Sequence, residues 1–493
     1  MSSTSSGSSS PTPPPPGLDL TFGLELEFSL AVLPLSFPDP HPNYTRSIYA
    51  PIRDPSLPAD APPSSDAWHN YPMDRIHGLF FKHRIQWMKN AKAHIASFLE
   101  SHGFCATVTC RNHCGFHDGL SLQEKFDQEV WTVAEDNTIT SGFHHGYFLL
   151  GMEINSPPLP FNESSLQKVR DVLDLLSKEY MILCDKSSSI HVHIGNSGKP
   201  FSLDTVKNFT MLAYTFENQL SQLHPKRYST GPFVDIYGLL PFSPLLRQFS
   251  RLVFQADNLV KSRGGSGHHH ALDILYSKTD VNSLVELTHS ENCNYCCRLA
   301  YNLDYLRDSE NKDSDSDKHS DKHSDKYKHE DKHQHKDKAK DKDKDSDDES
   351  DDDDDGYADR KFKTTIEFRQ HRSHLDSEEV AHWITVCAGL VQYAEKTLFP
   401  DVLRDHCKDV IMSNNEALNS VYCVLCFIGC KTQAEWYYDM LKRVGEDREA
   451  FEKAVSYGPI NEQDYYSLSL QALEGRRENQ PISRGPGFYC FNL

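Results

Sequence analysis

The sequence predicts an α+β fold with a mainly antiparallel sheet. Short apolar runs alternate with period two, and longer segments carry apolar residues at three- and four-residue steps. The two kinds of segment are mixed without the strict β–α alternation of a parallel sheet. With 493 residues, of which 38% are hydrophobic and 11% aromatic, the chain can bury a substantial core. That length suits two or three average domains, or one large α+β domain with insertions.

Taken in order, residues 1–19 are rich in Ser and Pro and are expected to be disordered. "FGLELEF" at 22–28 reads as a strand with Phe22, Leu24, Leu26 and Phe28 on one side and Gly23, Glu25 and Glu27 on the other. Residues 36–75, rich in Pro, Asp and Ser, read as a long irregular loop. Over 84–101, Ile85, Met88, Ala91, Ile95 and Phe98 fall at helical spacing, and Gly103 can end the helix. Strands are expected near 104–109, 129–134 and 147–155.

A helix over 164–184, opened by Ser164 or Ser165, carries Leu166, Val169, Leu173, Leu176 and Tyr180 on one face. "SSIHVHIGN" gives a strand at 189–195, and a helix over 203–223 follows with Val206, Phe209, Ala213, Phe216, Leu220 and Leu223. "KTTIEFRQH" at 363–371 is a further strand. The next helix has a marked start, since Asp376 followed by Glu379 forms a capping box ahead of the stripe Val380, Trp383, Ile384, Cys387, Leu390 and Val391. Residues 400–475 read as more helix and the last twenty as irregular tail. The expected organisation is a folded domain over 20–307, an insertion over 308–359, the last strand and helix of the domain over 360–398, and a helical extension over 399–493.

The insertion carries 22 acidic residues against 11 lysines, so its net −11 accounts for more than half of the chain's −20. Such a segment cannot bury apolar surface and should be solvated and disordered. Its five histidines, His319, His323, His329, His333 and His335, suit either a metal buffer or a polar insertion tolerated in a surface loop. The remainder is only mildly acidic, with no nucleic-acid footprint. The N-terminus lacks the basic and apolar regions of a secretory signal, and no apolar run is long enough to span a membrane. Thirteen scattered cysteines, an odd count, suit a reducing compartment. A cytoplasmic or nuclear protein is expected, with neither nucleic acid nor membrane as partner.

Two carboxylates side by side on an apolar ribbon repel one another, so something positive is expected beside them. Three later strands repeat the arrangement. In "HVHIG", His191 and His193 share a face, and in "GMEINSP", Glu153 lies opposite Met152 and Ile154. In "TIEFRQH", period two sets Glu367, Arg369 and His371 against Ile366 and Phe368. Taken alone, Glu-x-Glu reads as a solvated face, H-x-H as a ligand pair or a satisfied surface or core pair, and Glu-x-Arg as a cross-strand ion-pair donor. Together, four carboxylates and two imidazoles from distant strands describe a site for divalent cations, with the oxygen ligands that Mg²⁺ and Mn²⁺ prefer.

"FGLELEF", "GMEINSP", "SSIHVHIGN", "LAYTFENQLSQLHP" and "TIEFRQHRSHLD", followed by "VAHWITV", resemble the fungal amidoligases of the glutamine synthetase and glutamate–cysteine ligase superfamily. The resemblance covers roughly 20–395 without the insertion, and the motifs keep the family's order. It implies a glutamine synthetase-like catalytic domain whose curved antiparallel sheet forms a funnel for ATP and an acceptor acid. The implied activity is that of an ATP- and Mg²⁺- or Mn²⁺-dependent ligase joining small-molecule or peptide carboxylates to amines through an acyl phosphate. By the same resemblance, Glu25, His191 and Glu367 hold the metal next to the γ-phosphate, and Glu27 and Glu153 the metal near the acceptor. His193 contacts ATP phosphate, and Arg369 contacts the transferring phosphoryl group or the acyl-phosphate oxygens.

Other candidates remain open between two readings. Asp136 is a substrate ligand or a turn aspartate. Arg247 and Arg298 are substrate-carboxylate clamps or surface residues. The cysteines of 105–114 and 293–297 bind zinc or do not, and those of 423–426 read as core. "GNSGKP" at 195–200 lacks the Ser/Thr of a phosphate-binding loop and reads as a turn, and His268–His270 reads as loop. Two further function classes stand beside the ligase: a metal-dependent hydrolase, and a non-catalytic binding protein that keeps the fold.

Overall fold

The structure, a computed structural model, describes residues 18–33, 73–109, 128–139, 141–144, 147–184, 187–220, 223, 267–288, 301–306, 364–397, 399–412 and 420–446. The first strand, β1 (Thr21–Val32), is followed by α1 (Met73–Ser101), β2 (Ala106–Val108), β3 (Trp131–Glu135), β4 (Gly142–His144) and β5 (Tyr147–Asn155). Next come β6 (Leu159–Pro160), α2 (Glu163–Glu179), β7 (Ile182–Leu183), β8 (Ser189–Gly195), α3 (Leu203–Thr215) and the short α4 (Glu217–Leu220). Then follow α5 (Gly267–Tyr276), α6 (Val281–Thr288), β9 (Tyr301–Asn302), β10 (Thr365–Arg372) and α7 (Ser377–Lys396). The last described elements are α8 (Pro400–Met412), α9 (Val421–Phe427) and α10 (Lys431–Glu446).

One sheet runs in the order β2-β3-β5-β1-β8-β10-β9, with β4 beside β5 and with β6 and β7 beside β1. Among the described residues only β2 and β3 pair in parallel. The architecture is therefore α+β on a mostly antiparallel sheet. β1 is central: β8 pairs with its first half and β5 with its second, so β1 can bring together residues distant in sequence.

Alternation gives the sheet an apolar face, and the helices cover it. Trp87 of α1 meets Phe148 of β5 at a ring-centroid distance of 5.1 Å. Phe368 of β10 meets Phe209 of α3 at 5.5 Å and Trp383 of α7 at 6.2 Å. Phe22, Leu24, Leu26 and Phe28 are all buried. Each side chain of this size contributes about 1.5–3 kcal/mol relative to exposure, which makes this face the anchor that holds the opposite one in register. Gly103 ends α1 at φ +90°, as its position in the sequence predicts.

Several boundaries differ from expectation. α1 begins at Met73, eleven residues early, and takes the end of the expected 36–75 loop; the rest of that loop lies outside the described residues. α2 is capped by Asn162, whose side chain accepts from the Ser165 N–H, rather than by Ser164 or Ser165. It stops at Glu179 because the chain turns extended at Tyr180 to place β7 against Ser29 and Leu30, beyond the reach of β8. The helix expected over 203–223 is interrupted at Phe216. His268–His270 lie in α5, not in a loop, and the helix is held by buried Ala271, Leu272 and Leu275. The 1–17 tail, the 308–359 insertion and the segment after 446 lie outside the described residues.

The expected facing of His371 is overturned. β10 pairs with β8 as Glu367↔His193 and Phe368↔Val192, but then as His371↔Ile190, so one extra residue is accommodated between them. This bulge inverts the alternation. His371 is fully buried on the helix side, 5.5 Å from the Trp383 ring and with Nε2 3.5 Å from Glu379 Oε1. It does not share a face with Glu367.

Candidate active site

On the face away from the helices, antiparallel register sets acids and imidazoles opposite one another. Glu25 of β1 pairs with His191 of β8, Glu27 with Glu153 of β5, and Glu367 of β10 with His193. Glu27, Glu153, His191, His193 and Glu367 are all buried, and Glu25 is half-buried. Arg369, two residues beyond Glu367, donates to Glu367 Oε1.

The side chains form two clusters. In the first, Glu25, His193 and Glu367 offer ligand atoms that all lie within 4.8 Å of one another. Glu25 Oε1 is 3.0 Å from His193 Nε2, and Glu25 Oε2 is 2.8 Å from His191 Nδ1. Glu367 Oε1 lies 3.7 Å from His191 Nδ1 and 3.8 Å from His193 Nε2, so both imidazoles border this cluster. In the second, Glu27, Asp136 and Glu153 meet the same 4.8 Å limit.

Polar neighbours hold these carboxylates in place. Asn302 Nδ2 donates to Glu367 Oε2 at 2.7 Å, and Asn155 Nδ2 to Glu153 Oε1 at 2.8 Å. The Ser189 N–H and hydroxyl both donate to Glu27 Oε2, at 2.7 and 2.5 Å. The Thr138 N–H and hydroxyl donate to Asp136 Oδ1 at 2.6 and 2.7 Å. Asp136 reaches the cluster because the chain leaving β3 passes directly over Gly151, where any Cβ would stand 2.3 Å from the Asp136 carbonyl oxygen.

The site's electrostatics follow from this crowding. Burial by itself would raise the Glu25 pKa, but the charges of His193 and His191 and their hydrogen bonds hold it well below the usual carboxylate range. Burial likewise disfavours the charged Arg369, and it is outweighed by Glu367, Glu25 and Glu27, which hold the guanidinium charged. Five carboxylates thus face one guanidinium and two imidazoles. The donors are hard and oxygen-rich with a few nitrogens, a set that fits Mg²⁺ or Mn²⁺.

All seven residues singled out in the sequence, Glu25, Glu27, Glu153, His191, His193, Glu367 and Arg369, fall on this one face. Asp136 joins them as a third carboxylate of the second cluster. Residues 88–235 match a family described as "putative amidoligase enzyme". The amidoligase match includes Asp136, Glu153, His191 and His193, whereas Glu25, Glu27, Glu367 and Arg369 come to the site from outside it. No curated protein and no solved structure matches the chain.

The supporting residues escaped the sequence reading. Ser189 and Asn155 lie at period two from His191 and Glu153, so alternation alone could have placed them on the site face. Asn302 carries no such signal, because its strand has only two residues. "GNSGKP" forms the expected turn, closed by Lys199 N–H donating to the Asn196 carbonyl at 2.8 Å. Arg247, Arg298 and the cysteines at 110, 114, 293, 296 and 297 lie outside the described residues. Cys423 and Cys426 are half-buried in α9, among buried Val421, Val424 and Leu425. No helix of the described residues is long and apolar enough to cross a membrane.

Proposed function

We propose that the protein is an ATP-dependent carboxylate–amine ligase that forms an amide bond through an acyl phosphate. The observation that carries this reading is the pair of adjacent acidic clusters on one sheet face with Arg369 at the edge of the first. The amidoligase match over 88–235 supports it. Two acid-lined sites side by side, with a charged guanidinium and no activated Ser or Cys needed, suit phosphoryl transfer, which depends on positioning and charge neutralisation.

In this reading an acceptor carboxylate attacks the γ-phosphorus of ATP, ADP leaves, an amine attacks the acyl carbon, and phosphate leaves as the amine loses a proton. Glu25 and Glu367, with His191 bordering them, would hold a cation beside the γ-phosphate, and Glu27, Glu153 and Asp136 would hold one toward the acceptor. Mg²⁺ or Mn²⁺ held there would supply positive charge to offset the phosphate and acyl-phosphate oxygens. His193 donates to a phosphate oxygen. Arg369, preorganised by Glu367, presents its remaining N–H groups to the oxygens of the transferring phosphoryl group.

The test is ADP and phosphate release from ATP with Mg²⁺ or Mn²⁺, against a panel of amino acids and short peptides offered with amines. Release that requires both a carboxylate and an amine, and falls by at least about 10²-fold in Arg369→Lys, is the expected result. Cation binding with no ATP turnover would redirect the reading to a metal-dependent hydrolase or a non-catalytic binder.

A further inference from the structure

Ser189 joins a carboxylate of the second cluster to His191, the imidazole that borders the first. Its hydroxyl donates to Glu27 Oε2 at 2.5 Å, and its Oγ lies 2.8 Å from His191 Nε2. A serine hydroxyl has one proton. With that proton given to Glu27, the contact with His191 closes only if His191 Nε2 carries a hydrogen and donates it to Oγ. The next acceptor for Nε2, Glu27 Oε1, is farther away at 3.4 Å. Nε2 is thus committed to Ser189, and the other ring nitrogen, Nδ1, faces Glu25 and Glu367.

We infer that Ser189 is a positioning residue shared by two cation sites. It orients His191 so that Nδ1 addresses the first cluster, and it anchors Oε2 of Glu27, a member of the second. The inference rests on the proposed ligase reading, since it assigns cations to both clusters. A ligating histidine characteristically gives its other ring N–H to such a partner, and loss of that partner typically weakens metal binding 10–100-fold. Here one hydroxyl does this for an imidazole and a carboxylate at once. The Ser189 backbone N–H continues to hold Glu27 when the hydroxyl is removed.

The experiment is a Mn²⁺ titration of the full chain, with free Mn²⁺ followed by electron paramagnetic resonance and the melting temperature measured in chelator. Wild type should bind Mn²⁺ in two phases. Ser189→Ala should weaken the phase that uses His191 by about 10–100-fold and the Glu27 phase by less, since the backbone N–H still holds Glu27 Oε2, with little change in metal-free melting temperature. Ser189→Thr, which keeps the hydroxyl, should restore both. A melting temperature that falls while both affinities stay unchanged would make Ser189 merely structural and overturn the inference. Weakening of one phase alone would overturn the shared role. A wild-type chain that binds no Mn²⁺ would overturn the ligase reading itself, and this inference with it.

Discussion

Glu27 and Glu153 stand directly opposite one another across the β1–β5 ladder, both buried, with their carboxylates inside one 4.8 Å cluster with Asp136. Like charges placed this way disfavour the metal-free fold. Glu153→Gln should therefore raise the melting temperature in chelator by about 2–4 °C for each kcal/mol of repulsion relieved. The same variant should lose much of the stabilisation that saturating Mn²⁺ confers on wild type, which reaches about 2.7 kcal/mol at a hundred times the Kd. A variant that melts lower in chelator and keeps the Mn²⁺ increment would show that the pair is not a cation site. Calorimetric scans with and without Mn²⁺ decide between the two.

Gly151 makes the second cluster possible, because a Cβ there would stand 2.3 Å from the Asp136 carbonyl oxygen and 3.1 Å from Ile139 Cβ. The nearest obstacle is backbone and cannot rotate away. Gly151→Ala should cost about 1–3 kcal/mol in urea unfolding, as overpacking generally does. It should also weaken the Mn²⁺ phase assigned to Glu27, Asp136 and Glu153 while sparing the other.

The β10 bulge separates two histidines that look alike in sequence. His371→Ala should destabilise the fold by about 1–3 kcal/mol, since it empties a buried position against Trp383 and Glu379. Its Mn²⁺ affinity should stay within about twofold of wild type, because it acts on the opposite side of the sheet from the two acidic clusters. His191→Ala should show the reverse, a large loss of Mn²⁺ affinity. Equal Mn²⁺ losses in both variants would refute the bulge.

Acid should test the Glu25–histidine contacts. A carboxyl whose folded pKa is depressed contributes stability above its unfolded pKa and loses it as the pH falls through the folded value. With an ordinary value of 4.5 for Glu25, its contribution is intact above that pH and drains away below it. In metal-free buffer the stability advantage of wild type over Glu25→Gln should hold at pH 6 and vanish on acidification well below pH 4.5. A constant difference across that range would mean that the contacts with His191 and His193 do not depress the Glu25 pKa.

The insertion joins neighbouring strands, for β9 and β10 pair antiparallel through Asn302↔Glu367. Replacing 308–359 by a short polar linker should leave both Mn²⁺ phases and ATP turnover within about twofold of wild type, since loop length changes closure entropy only slowly. A collapse of either would give the insertion an active part.

Much of the site was legible in the chain itself. Period two and apolar partners placed Glu25, Glu27, Glu153, His191, His193, Glu367 and Arg369 on polar strand faces, because alternation is a local property of extended backbone. The helix start at Asp376 was legible because capping is also local, and the Asp376 side chain accepts from the Glu378 and Glu379 N–H groups. The reciprocal half of the expected capping box is missing, since the Asp376 N–H donates to His374 Nδ1. Tertiary structure alone decided which faces meet. Strand order brought Glu153 beside Glu27, a glycine's missing Cβ let Asp136 into the second cluster, and one inserted residue turned His371 to the far side. The shared role inferred for Ser189 likewise depends on register, since Glu27 is 162 residues away. Alternation is written residue by residue, but which strands become neighbours is chosen by long-range burial of the apolar face, and no local pattern carries that choice.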